Sequence, residues 1–174
     1  MKILILGAAG MIGRKITEAI AAAPESFGGT PTAITLADIV FATVPPALNG
    51  IATVRTDDFS TKAPVEALVA ERPDLVIHLA SIVSGEAEAD FDKGYRVNFD
   101  GTRYLLEAIR AEGMRAPYRP RLLFASSIAV YGAPLEHPIP DDFHLTPLTS
   151  YGTQKAMLEL LLADYSRRGF VDGL

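Results

Sequence analysis

Directly after an apolar run, Lys2–Leu6, the chain reads GAAGMIG and passes at once into a helical pattern. Gly7, Gly10 and Gly13 stand in a GxxGxxG frame. A strand, glycines without Cβ atoms and the positive end of a helix are what backbone needs to touch a phosphate. The feature predicts an α/β fold from its first residues. Gly7, Gly10 and Gly13, with Met11 and Ile12 at the helix start, would border a dinucleotide pyrophosphate. The competing reading is a glycine turn that only packs a helix on a strand.

The rest of the chain repeats the same rhythm. Short apolar runs at 2–6, 33–37, 51–54, 75–80 and 121–126 alternate with helical patterns at 11–23, 65–71, 97–111 and 151–168. That alternation predicts a Rossmann-type, doubly wound parallel sheet with helices on both faces and strands buried on both sides. With 174 residues and 49% hydrophobic content, residues 1–174 read as one dinucleotide-binding domain. The absence of cysteine removes disulfides and thiolate metal sites. No apolar run reaches the ~20 residues of a membrane span, and the start lacks the layout of an export signal. The expectation is a cytoplasmic protein. A net charge of −5 without a basic block argues against nucleic acid or an anionic membrane as partner.

Several side chains fall where a bound dinucleotide would lie. Asp38 ends the second run and is placed to accept from the adenosine ribose. A carboxylate there repels a 2′-phosphate, and no Lys or Arg follows closely, so NAD is expected over NADP. Asp58, after the third run, either binds the adenine edge or caps the next helix. Ser126 ends the fifth run and Ser127 follows it, at the edge where open parallel sheets bind ligands. Tyr151 and Lys155, four apart, share one face of the last helix. A phenol is a poor base at neutral pH unless a positive charge stabilises its phenolate, and a lysine one turn away supplies that charge. Serine, tyrosine and lysine without a metal suit removal of a hydroxyl proton coupled to hydride transfer to NAD.

These elements together resemble the extended short-chain dehydrogenase/reductases, the NAD-dependent epimerase/dehydratase family. GAAGMIG, HLAS at 78–81, VNFDGT at 97–102, SSIAVYG at 126–132 and YGTQK at 151–155 occur in the family's order and cover the whole chain. The resemblance implies that Leu79, Ala80 and Ser81 line the cofactor cleft and that Asn98 binds or supports the nicotinamide end. It also implies that Ser127, Tyr151 and Lys155 are catalytic, with Lys155 holding the nicotinamide ribose. Residues 78–98 are most similar to the D-erythronate dehydrogenase branch, which oxidises the C2 hydroxyl of a four-carbon sugar acid. Ser81, Ser84 and Ser127 are the expected substrate contacts, and a homodimer is an open possibility.

Other residues carry less. His78, His137 and His144 show no ligand spacing, so no metal is expected and His78 reads as a satisfied structural histidine. Asp141 and Asp142 read as solvated loop charges. The resemblance also places Leu174 short of a sixth strand and of a substrate region, leaving the fifth strand an open edge. A nucleotide-sugar epimerase or dehydratase, and an incompetent NAD-binding fragment, remain the alternatives.

Overall fold

The computed structural model describes residues 1–132, 134, 138–140 and 142–174. Six strands form one parallel sheet in the order β3-β2-β1-β4-β5-β6. They are β1 (Lys2–Leu6), β2 (Ala33–Asp38), β3 (Ala52–Thr56), β4 (Leu75–His78), β5 (Arg121–Phe124) and β6 (Asp172–Gly173). The helices are α1 (Met11–Ala22), α2 (Lys62–Ala70), α3 (Ser84–Ala89), α4 (Phe91–Gly94), α5 (Gly101–Arg115) and α6 (Ser150–Arg167). A π-helical turn, Tyr95–Asp100, links α4 to α5. Strand order reverses between β1 and β4, so the ligand crevice of such a sheet opens above their carboxyl ends.

The pleat sorts β1 into two cores. Ile3 and Ile5 pack with Ile20 of α1, Ile34, Leu36 and Ile77 on one face. Leu4 and Leu6 pack with Leu68 of α2, Leu105 and Ile109 of α5 and Leu162 of α6 on the other. Alternation over a sheet covered on both sides produces this division.

Two expectations are corrected. The sixth strand is present: Leu174 donates to the Leu122 carbonyl at 2.9 Å and Phe124 to the Leu174 carbonyl at 3.0 Å, so β5 is not an edge. Burial on both faces also fails at the flanks. Leu123 of β5 is 40% exposed, and β3 has no fully buried residue. β3 is an outer strand with a neighbour on one side only, and β5 is flanked on its outer side by the two-residue β6.

His78 closes β4 and is structural but only half satisfied. The Thr102 hydroxyl donates to the Asn98 carbonyl at 2.8 Å, so at the 2.7 Å contact with His78 the ring Nε2–H must be the donor. Nδ1 is left buried with no partner among the described residues. Burial, reinforced by the Lys155 ammonium, pushes the imidazole down to about 3 from its ordinary 6.5. Between those values only the unfolded chain takes the proton, so this contribution is complete above pH 6.5 and is lost as pH falls toward 3. Between pH 7 and 5 the protein is expected to lose about 2 kcal/mol more stability than His78→Asn. Denaturant titrations at both pH values check this, and equal losses would contradict it.

Candidate active site

A cleft of about 480 Å³ lies at the crevice. Its lining includes Gly7, Gly10, Asp38, Asp58, Leu79, Ala80 and Ser81, all expected from the sequence. Gly7 has φ +88, and a Cβ on it would stand 2.7 Å from the Ala80 nitrogen. The loop therefore lies directly against the end of β4. A Cβ on Gly13 would meet the Gly7 carbonyl at 2.2 Å, which seats α1 close under that loop. Met11 and Ile12 begin α1 with exposed side chains. The Asp38 carboxylate organises the rim, accepting from the backbone N–H groups of Ala9 at 2.9 Å, Ile39 at 2.7 Å and Val40 at 3.3 Å.

Asp58 is not the cap of α2, because Thr61 occupies that position. Its Oδ1 accepts from the Ser60 backbone and hydroxyl, and its Oδ2 from Arg96 at 3.2 Å. These bonds, the Ser60 hydroxyl foremost, hold its carboxyl below the usual carboxylate range. Arg96 also lines the cleft, as does Lys93, which pairs with Glu86 at 2.5 Å. Sequence reading missed both cations. Their signal was a spacing of three residues on one helical face, which is common on solvated helices.

The proposed catalytic side chains stand apart from the cleft lining. Ser126 donates to Glu159, whereas Ser127 caps the turn Ile128–Val130 and accepts the Ala129 N–H at 3.2 Å. α6 is drawn onto that turn at Gly152, where a Cβ would lie 2.1 Å from the Ala129 carbonyl. Thr149 caps α6 through the Gly152 N–H, and the Glu88 carboxylate accepts the Ser150 N–H. The consequence is that Tyr151 begins its helix beside the Ser127 turn. Lys155 is 3% exposed; its ammonium donates to the Ala125 carbonyl at 2.9 Å and lies 5.7 Å from the Tyr151 ring centre. Burial pushes it down to about 8.

Asn98 is 1% exposed and has every donor and acceptor engaged with protein, so it supports the loop at Ser81 rather than facing the cleft. Ser84 opens α3 and is half-buried. Asp142 and His144 are exposed, while His137 and Asp141 lie outside the described residues. Among the described residues no three His, Cys, Asp or Glu could hold a metal, and no helix is long and apolar enough to cross a membrane.

The profile of the NAD dependent epimerase/dehydratase family matches residues 3–173. The chain belongs to that family. It is 46% identical to D-erythronate dehydrogenase of Cupriavidus necator, over 99% of this chain and 53% of the relative. With the D-erythronate dehydrogenase of Haemophilus influenzae the identity is 38%, over 100% and 53%. Among solved structures, a nucleoside-diphosphate-sugar epimerase from Agrobacterium tumefaciens superposes with a TM-score of 0.96 at 57% identity, over 100% of this chain and 51% of that one. A UDP-glucose 4-epimerase from Brucella ovis in complex with NAD gives 0.76 at 28%, over 99% and 50%. The chain thus spans about half the length of these members. NAD, the family's cofactor, fits the residues present: a cradle closed to any Cβ at Gly7, amides at the start of α1, and a carboxylate at Asp38.

Proposed function

We propose that this chain is the cofactor-binding domain of an NAD-dependent dehydrogenase that oxidises the C2 hydroxyl of D-erythronate, or of a close sugar acid, to the 2-oxo acid. Gly7, Gly10, Met11, Ile12 and Gly13 hold the pyrophosphate, Asp38 the adenosine ribose, Asp58 the adenine edge, and Leu79, Ala80 and Ser81 the floor of the cleft. NAD supplies the hydride acceptor. Tyr151, as a phenolate stabilised by the Lys155 ammonium, takes the hydroxyl proton and becomes the neutral phenol; Lys155 also orients the nicotinamide ribose, and Ser127 donates to the substrate oxygen as it becomes a carbonyl. Ser81 and Ser84 contribute further hydroxyls to the substrate.

The observation that carries this reading is the setting of Lys155. Its ammonium is buried beside the Tyr151 ring with no carboxylate paired to it among the described residues. A cation kept there at a desolvation cost is available to a phenolate. The Ser127 hydroxyl hydrogen has no acceptor among the described residues, which leaves it for a ligand. The identity to two D-erythronate dehydrogenases supports the sugar-acid substrate.

A second reading, a nucleotide-sugar epimerase, is favoured by the 57% identity to the Agrobacterium protein. Turnover separates the two. With D-erythronate and NAD, the dehydrogenase forms NADH and 2-oxo acid in equal amounts. Conversion of a UDP-sugar without net NADH would overturn that reading in favour of the epimerase, and tight NAD binding with neither reaction would reject enzyme activity for this chain.

A further inference from the structure

The candidate site rests on two pieces of chain distant in sequence, the loop after β4 and the helix α6. One side chain joins them that neither the cleft nor the YxxxK motif singles out. Gln154 is 0% exposed and directly precedes Lys155. Its Oε1 accepts from Asn98 Nδ2 at 2.7 Å. Asn98 sits in the π-helical turn and grips Ile82 at both ends, with Oδ1 accepting the Ile82 N–H at 2.8 Å and Nδ2 donating to the Ile82 carbonyl at 3.3 Å. The Ser81 hydroxyl also donates to Asn98 Oδ1, at 3.0 Å. Ser81 and Ile82 are cleft wall. An unbroken path of hydrogen bonds therefore runs from that wall to the residue beside Lys155.

Gln154 is itself only half satisfied. Its Nε2 is buried and has no partner among the described residues, at a cost of about 1–3 kcal/mol. Helix α4 approaches that amide so closely that a Cβ on Gly94 would stand 2.8 Å from Nε2 and 3.1 Å from the Ala87 Cβ. An apolar side chain of similar length would fill the same space without the stranded Nε2, but it would leave the buried Asn98 Nδ2 without the acceptor it has in Gln154. The one satisfied atom of Gln154 is the acceptor that holds Asn98.

We propose that Gln154 is a positioning residue that locks the Ser81–Ile82 wall of the cofactor cleft to the helix bearing Tyr151 and Lys155. The wall and the catalytic pair then keep a fixed separation when cofactor binds. The functional importance of that separation rests on the dehydrogenase reading above; the coupling itself does not.

Amide hydrogen exchange of Gln154→Leu and Gln154→Glu, each measured with and without NAD, tests the proposal. In Gln154→Leu, exchange at Ile82 is expected to quicken about tenfold, the equivalent of one hydrogen bond, while Leu4 and Val76 in the sheet change by less than about twofold. Gln154→Glu retains an acceptor for Asn98 and should restore protection at Ile82. For sugar-acid oxidation, Gln154→Leu should lower kcat and leave KM for NAD within about twofold. Unchanged Ile82 exchange would overturn the proposal, and so would equal quickening at Ile82, Leu4 and Val76, which marks a purely structural role. If the wild-type chain oxidises no sugar acid but Ile82 responds as expected, the dehydrogenase reading fails and the coupling stands.

Discussion

Tyr151→Phe is expected to lower kcat for sugar-acid oxidation by roughly 10²–10⁴-fold, the worth of a positioned general base, with the dissociation constant of NAD within about twofold. The effect should be confined to turnover because the Tyr151 hydroxyl makes no hydrogen bond among the described residues, so its removal strands no buried partner. The ring itself, beside the Lys155 ammonium, remains in the variant. Steady-state kinetics with NAD-binding calorimetry checks both parts. A variant that kept most of its rate would transfer the role of base to another group.

The second large effect is at the glycine loop proposed to hold the cofactor. Gly7→Ala combines a left-handed backbone, φ +88, with a Cβ driven to 2.7 Å from the Ala80 nitrogen and 2.8 Å from the Leu79 carbonyl carbon. Strain of about 1–3 kcal/mol and overpacking of a similar size should together remove about 2–6 kcal/mol of stability. Because the displaced backbone forms the cleft floor, NAD affinity should fall at least about a hundredfold, or ~2.7 kcal/mol. Gly50→Ala is the control: φ is +90 there, with nothing within 4 Å of the added carbon. It should show the strain alone and bind NAD normally. Equal losses of affinity in both variants would mean that the close contact at Gly7 does not shape the cleft.

How far the residues announce this architecture depends on the length of each element. β1, α1 and α6 are legible because five apolar-rich residues or a dozen helical ones give a period that can be read. α3 has six residues and α4 four, too few to show a period, and they carry Gly85, Gly94 and three acidic side chains. α3 is tied down by a tertiary contact, the Glu88 carboxylate on the Ser150 N–H, while α4 has a local cap, Asp90 accepting the Lys93 N–H at 3.0 Å. β6 fails for the same reason, since two residues make no pattern and only pairing with β5 defines them.

The site divides in the same way. Gly7, Asp38 and Tyr151 stand at ends of elements whose bounds are readable, so their places in the fold could be anticipated. The partnership of Asp58 with Arg96 joins residues 38 apart, and that of Asn98 with Gln154 joins residues 56 apart. Such contacts follow from the crossover path between strands, and no local spacing encodes them. Asn98 shows the difference most clearly: the family motif marks it, but only the fold reveals that its side chain is spent on Ile82 and Gln154.

Hydride is proposed to leave C2 of a sugar acid for NAD while Tyr151 takes the hydroxyl proton. D-erythronate carrying deuterium at C2 tests it most directly, with the mass of the reduced cofactor as the readout. One deuterium in each NADH formed and a 2-oxo acid as product are expected, with neither appearing in Tyr151→Phe. Unlabelled NADH, or label retained in the product, would contradict it.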